Sequence, residues 1–351
     1  QAGPPLASRL TAAGMSVAVV ERKLFGGTCV NTGCTPTKTL VASAYAAHLA
    51  RRGPEYGIST GAVQIDMMRV KARADTVSSN SRNSVEKWLR GMTGCRVLQG
   101  EARFESPNTV RVGDEVLTAP RIFINVGGRA VVPDFASAAK VPYLTNTSIL
   151  ALDRLPEHLV IIGGSYIGLE FGQMYRRFGA AVTIVEKGPR LIGKEDPDIS
   201  DAIKDILLRE DISVRTSAEC ISVRSHAQGI EVGLDCAEDA KTVVGSQLLL
   251  AVGRRPNTDD LGLERAGVAT DKQGYITVDD TLATNVQGIW ALGDCNARGA
   301  FTHTSYNDFE IVAANLLDGQ QRRVSDRISA YALYIDPPLG RVGMTVEQAR
   351  L

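Results

Sequence analysis

The sequence predicts an α/β protein containing two copies of one βαβ unit, and three observations carry that prediction. Leu159-Val160-Ile161-Ile162 is a short apolar, mostly β-branched run, the mark of a buried parallel strand. Gly163-Gly164-Ser165-Tyr166-Ile167-Gly168 then turns into a helix whose apolar Ile167, Phe171, Met174 and Phe178 recur at helical spacing. Gly179 ends that helix, and Ala181–Glu186 reads as the next strand. The third observation is repetition near the start of the chain. Gly3 to Gly14 and Gly168 to Gly179 each span 11 residues, and Gly3 to Glu21 and Gly168 to Glu186 each span 18. Two copies at one spacing, each ending in Glu, point to dinucleotide-binding units. The glycine turn lets backbone approach a pyrophosphate, whose charge rests on the helix N-terminus, and the terminal acid accepts from ribose hydroxyls.

In the first copy, the opening strand and the first two glycines are expected upstream of residue 1, so the chain reads as a fragment. Pro4 and Pro5 open a helix where their missing N–H does no harm, Gly14 ends it, and Ser16–Glu21 is a strand. Gly26-Gly27-Thr28-Cys29-Val30-Asn31-Thr32-Gly33-Cys34-Thr35-Pro36-Thr37-Lys38 follows. On a regular helix, residues five apart rise about 7.5 Å, whereas a disulfide wants Cα atoms about 4.4–6.8 Å apart. Cys29 and Cys34 can therefore bridge only across a distorted turn, which Asn31 and Gly33 tolerate. A bridge on a bent turn is easily broken and remade, so the pair reads as redox-active.

Residues 64–92 have a helical pattern, and residues 97–124 alternate like a small antiparallel sheet through Val97-Leu98, Ala102–Phe104, Thr109–Val112 and Ile122–Ile124. Asn125-Val126-Gly127-Gly128-Arg129 and Ala251-Val252-Gly253-Arg254-Arg255-Pro256-Asn257 read as chain passages beside a nucleotide. Ile289–Leu292 is a buried strand ending in Gly293-Asp294, where Asp294 is either a helix cap or a polar group for a sugar-like chain. Ser165 stands where the second glycine of G-x-G-x-x-G belongs, so close backbone approach there needs a negative φ. Glu186 accepts from a 2′-hydroxyl and repels a 2′-phosphate, which favours NAD(H), although Lys187 and Arg190 could serve a phosphate.

The 351 residues are 44% hydrophobic with zero formal net charge, which fits a soluble protein of two or three domains and argues against a nucleic-acid surface. No apolar run reaches 18 residues and no leader pattern is visible, so neither a membrane span nor secretion is expected, and a cytoplasmic setting is. Six cysteines do not make a disulfide scaffold, and Cys95, Cys220, Cys236 and Cys295 read as packing residues.

Together these residues resemble the FAD-dependent pyridine nucleotide–disulfide oxidoreductases, the family of dihydrolipoamide dehydrogenase, glutathione reductase and mercuric reductase. The likeness rests on Gly3–Glu21, Cys29–Lys38, Gly100-Glu101-Ala102-Arg103-Phe104, Gly163–Glu186, Gly253-Arg254-x-Pro256-Asn257 and Ala291–Asp294. Gly26–Cys34 and Pro337-Pro338-Leu339-Gly340-Arg341-Val342-Gly343 look most like mercuric reductases and related flavin-dependent metal-ion reductases.

The resemblance implies two Rossmann-like FAD- and NAD(P)-binding domains of glutathione reductase-like α/β fold, with the start of an α+β dimerisation domain. The FAD domain would be 1–150, resumed at 281–326, the NAD(P) domain 151–280, and the dimerisation domain would begin at 327–351. The His–Glu pair that the family's last domain supplies, and the terminal cysteine pair of mercuric reductases, are not among these residues. Electrons would pass from nicotinamide through flavin to the Cys29–Cys34 disulfide. Cys34 would face the flavin, Cys29 would be the interchange thiol, Lys38 would lie by the flavin and pair with Glu170, and Tyr166 would gate the nicotinamide pocket. The implied cofactor-binding set also holds Gly27, Thr28, Ala102, Gly127, Gly163, Ser165, Gly168, Glu186, Gly253, Gly293, Asp294, Ala300 and His303, beside Gly3 and Glu21, with no acid–base role for His303. No resident metal site is expected. The acceptor would be a metal ion such as Hg(II) or Cu(II), or a small disulfide as in a lipoamide-type dehydrogenase, and the full-length protein a homodimer. A reading of another class is a redox-responsive flavin-binding interaction protein.

Overall fold

Short β-branched runs form the parallel strands of this chain, and glycine-terminated amphipathic stretches form the helices that cover them. The computed structural model describes residues 1–218, 221–235 and 241–351. They divide into a first unit of residues 1–31, 78–129 and 254–328, and a second of residues 32–77, 130–253 and 329–351.

In the first unit, Pro4 and Pro5 lie in the opening turn of helix Gly3–Ala12, and Gly14 takes φ 80° just after it. Strand Val17–Glu21 pairs in parallel with Cys95–Gln99, Val17 opposite Cys95. Ile122–Ile124 runs parallel to Ile289–Ala291, with Trp290 stacked on Phe123 at 5.2 Å between centroids. Ala102–Ser106, Thr109–Val112 and Glu115–Thr118 form an antiparallel meander. The expectation of one antiparallel sheet across 97–124 is thereby corrected. Its first and last strands have parallel partners about 80 and 170 residues away, and alternation along a strand says nothing about which strand lies beside it. Leu6, Leu10, Phe104, Ile124, Leu282, Ile289 and Leu292 share one core.

In the second unit, a parallel sheet has the order Ser213–Arg215, Ala181–Val185, His158–Ile162, Gln247–Leu250. Helix Tyr166–Phe178 crosses over between the two central strands, completing one βαβ unit. Helix Cys34–Arg52 packs on it, placing Leu40 and Ala44 in a core with Leu169, Met174 and Phe178. Each such fully buried Leu or Phe stabilises the fold by about 1.5–3 kcal/mol. The meander Ser222–His226, Gly229–Gly233, Thr242–Gly245 supplies Val223, Ile230 and Val232 to the sheet's other face. The hairpin Ala330–Leu333 with Leu339–Val342 sends Leu333 and Ile335 into the same core as the crossover helix.

The expected helix at 64–92 runs Met67–Arg90. Cys295 is fully buried and Cys95 half-buried, while Cys220 and Cys236 lie outside the described residues. Among the described residues, no helix is long and apolar enough to cross a membrane.

Candidate active site

The helix start at Gly3 is held by Asn125, whose Oδ1 accepts from Gly3 N at 3.1 Å while its Nδ2 donates to Leu292 O at 2.7 Å. One side chain thus ties the first glycine turn to the Gly293–Asp294 crossing. Gly293 takes φ +74°, and a Cβ there would lie 2.7 Å from Ser305 Oγ, so only glycine fits the crossing. The Gly293 amide donates to buried Asp308. Asp294 is different. Its side chain is 25% exposed, and its nearest cation, Arg254 Nε, stands 3.8 Å away, beyond hydrogen-bond reach. Burial pushes the Asp294 carboxyl above its ordinary value despite the pull of Arg254. A desolvated carboxylate whose nearest cation stands beyond hydrogen-bond reach suits a hydroxyl donor. The residues present therefore fit a sugar-like chain.

Glu21 ends its strand with Oε1 accepting from Lys23 N at 2.8 Å. Gly27 and Thr28 open helix Gly27–Thr32, Ala102 begins its strand half-buried, and Gly127 takes φ +66° with its carbonyl bonded to Asn257 N. Ala300 is exposed, and His303 stacks on Phe301 at 5.5 Å in the first turn of helix Thr302–Leu317. These residues belong to the first unit.

The second unit holds the other glycine turn. A Cβ on Gly163 would meet Ala251 O at 2.3 Å and one on Gly168 would meet Gly163 O at 2.1 Å, both backbone atoms that cannot yield. Ser165 is extended at φ −106°, the negative φ that its side chain requires, and caps no amide of helix Tyr166–Phe178. Glu186 is pinned where its strand ends, accepting from Gly164 N at 2.6 Å and Gly188 N at 2.7 Å. Lys187 and Arg190 beside it are exposed. Tyr166 is half-buried at the helix start, and Gly253 takes φ +132°. This turn fits a dinucleotide.

Cys29 lies in helix Gly27–Thr32 and Cys34 opens helix Cys34–Arg52, with Gly33 between them at φ −142°, ψ −121°. The helical path breaks at Gly33, one of the two residues expected to accommodate the distortion. Asn31 Nδ2 donates to Phe25 O and Gly27 O, and buried Asn146 donates to Thr32 O at 3.1 Å. Cys29 is half-buried and Cys34 exposed. Lys38 follows Cys34 by one helical turn, and its Nζ lies 2.5 Å from Glu170 Oε2 on the crossover helix. Glu170 is 5% exposed, so its charge is compensated by a close partner rather than by water.

Asn125 as a clamp and Asn146 are not marked as site residues by the sequence. Asn125 begins a glycine-rich crossing, a usable signal, whereas nothing local marks Asn146. Among the described residues, no group of three or more His, Cys, Asp or Glu side chains could hold a metal ion.

Residues 1–309 match the family described as pyridine nucleotide-disulphide oxidoreductase. The chain belongs to this family. It is 37% identical to the probable pyridine nucleotide-disulfide oxidoreductase RclA of Escherichia coli, over all of this chain and 76% of that protein. It is 32% identical to a mercuric reductase of Lysinibacillus sphaericus over 96% of this chain, and spans 62% of that reductase's length. A dihydrolipoyl dehydrogenase of Geobacillus stearothermophilus is 33% identical over 98% of this chain and 73% of its own. A solved structure described as a Cu(II) complex of the HOCl-induced flavoprotein disulfide reductase RclA from Escherichia coli superposes with TM-score 0.89 at 36% identity, covering 99% of this chain and 77% of that one. The fold is that of the flavoprotein disulfide reductases, of glutathione reductase-like α/β type.

Proposed function

We propose that this chain is the core of an NAD(P)H-dependent flavoprotein oxidoreductase that passes electrons through Cys29 and Cys34 to a metal ion. The observation that carries the reading is the Lys38–Glu170 ion pair one helical turn beyond Cys34. Bound FAD would supply a two-electron carrier between a nicotinamide and the cysteine pair. Gly3, Glu21, Gly27, Thr28, Ala102, Gly127, Gly293, Asp294, Ala300 and His303 would hold it, with Asp294 accepting from its hydroxyl chain. Gly163, Ser165, Tyr166, Gly168, Glu186 and Gly253 would hold the nicotinamide dinucleotide.

The chain's own residues set the sulfur chemistry. Cys34 sits where a helix start and the Lys38 ammonium both favour negative charge on sulfur. Glu170 keeps that ammonium in place. Closing the pair releases two electrons as one S–S bond forms from two thiols, with two protons lost. Opening it reverses both. Cys29 is then the thiol that meets the acceptor, and soft metal ions suit such a ligand.

A mercuric reductase-like acceptor is supported by the relatives of that name and by the motif around the two cysteines. The dihydrolipoyl dehydrogenase at 33% identity supports a second reading with a small disulfide as acceptor. Glu186 favours NAD(H) over NADP(H). The FAD domain is assigned to residues 1–150 and 281–326, the NAD(P) domain to 151–280 and the start of a dimerisation domain to 327–351, in a homodimer of the full-length protein. We further place it in the cytoplasm.

Anaerobic titration of FAD-loaded protein with NADH tests this reading. A long-wavelength thiolate–flavin absorption band is expected, lost in Cys34→Ser and kept in Cys95→Ser. A band that survives Cys34→Ser removes the assigned role. Turnover with Hg(II) or Cu(II) against oxidised lipoamide then decides the acceptor.

A further inference from the structure

We propose that Tyr334 is a positioning residue for Lys38, holding the ammonium beside Glu170 through its ring. The proposal rests on the function assigned above for its meaning, but the geometry stands alone. Lys38 Nζ lies 4.3 Å from the centroid of the Tyr334 ring and 2.5 Å from Glu170 Oε2. The other oxygen, Glu170 Oε1, accepts from the backbone N–H of Tyr334 itself at 3.0 Å. Glu170 thus fixes the cation and, at the same time, the residue whose ring faces it. The three groups form a closed set, and moving any one strains the other two contacts.

The same face of the crossover helix anchors the segment that carries Tyr334. Gln173, three residues after Glu170, accepts from Asp336 N at 2.8 Å and donates to Asp336 O at 2.9 Å. Arg177, seven residues after Glu170 and 5% exposed, donates to Asp336 Oδ2 at 2.8 Å. Glu170, Gln173 and Arg177 share one helix face, and together they dock residues 334–336 against it. The aromatic ring therefore reaches Lys38 from a backbone that three side chains hold. A lysine held by one carboxylate alone keeps the rotational freedom of a four-carbon stem, and a ring alongside it removes much of that freedom.

Trace acetylation with acetic anhydride, read by peptide mass spectrometry as the Lys38:Lys272 labelling ratio, tests the proposal, because exposed Lys272 belongs to no part of the site. Tyr334→Leu should raise the ratio about threefold or more, whereas Tyr334→Phe, which keeps the ring, should leave it within about 1.5-fold. Glu170→Gln serves as the reference for a released lysine. An unchanged ratio in Tyr334→Leu, or an equal rise in the Leu and Phe variants, overturns the proposal. Should Tyr334→Leu unfold, reductive methylation of the unmutated chain with 13C-formaldehyde decides. The Lys38 methyl signal, assigned by its absence in Lys38→Arg, should be shifted upfield by the ring, and a signal at the position of exposed lysines overturns it. Neither readout involves electron transfer. Absence of the thiolate–flavin band would remove the proposed function and leave the labelling result standing.

Discussion

Asp294 carries a pH dependence whose sign follows from its surroundings. Burial is the first cause of its raised pKa, and the more distant Arg254 offsets that only in part. A carboxyl that binds its proton more tightly in the folded state than in the unfolded state loses stability as pH rises through the window above the ordinary value of about 4. Asp294→Asn is therefore expected to raise the melting temperature of the cofactor-free chain at pH 7, and the gain should shrink as pH falls towards 4 and vanish below about pH 3, where both states carry the proton. Thermal melts of the two proteins across that range check it, and a pH-independent difference would contradict the assignment. The same variant should bind FAD more weakly, since an amide offers a poorer acceptor. The sequence singles out Asp294 because a strand ending in Gly-Asp is a local pattern. Asn125 and Asn146 were not assigned their holding roles, because the carbonyls they grip, Leu292 and Thr32, lie far from them along the chain.

The turn into helix Tyr166–Phe178 has almost no room, and this makes the glycine motif a structural requirement. A methyl at Gly168 would stand 2.1 Å from Gly163 O, a backbone atom. Gly168→Ala is expected to destabilise the chain by about 1–3 kcal/mol and to weaken NADH binding at least tenfold, measured by urea unfolding and by quenching of nicotinamide fluorescence. Gly14→Ala is the contrast, since a Cβ there meets nothing within 4 Å and only φ +80° opposes it. It should cost about 1 kcal/mol and leave NADH affinity unchanged. On the opposite end of the same helix, Arg177 is 5% exposed between Glu210 and Asp336. Removing it strands two carboxylates, and Arg177→Met should cost about 3–5 kcal/mol. The helix itself was readable because its apolar spacing and its two bounding glycines are properties of neighbours. Its polar face was read only at Glu170, because Gln173 and Arg177 acquire their partners from residues 210 and 336. The strands at Cys95–Gln99 and Ile122–Ile124 were placed in the wrong sheet for the same reason, since pairing is chosen by tertiary neighbours.

The hairpin beginning at Ala330 is part of the second unit's core. Leu333 is fully buried and Ile335 nearly so, and both pack with the crossover helix and helix Cys34–Arg52. Ending the chain at Ile328 would expose the surface these two cover, at about 1.5–3 kcal/mol each, and would leave Gln173, Glu170 and Arg177 without residues 334–336. Both tryptophans of the sequence, Trp88 and Trp290, lie in the first unit. Their emission therefore follows the first unit, while far-ultraviolet circular dichroism follows the helices and strands of both. The shortened chain should show a urea midpoint by circular dichroism lowered by the equivalent of about 3–6 kcal/mol, with the tryptophan transition moving less. Equal shifts in the two signals would mean that the hairpin supports the whole molecule rather than the unit that carries Lys38, Glu170 and the Gly163–Gly168 turn. A larger shift in circular dichroism would place its contribution under the redox helix, where Tyr334 and Leu333 alternate along one short strand end, one facing Lys38 and the other the core.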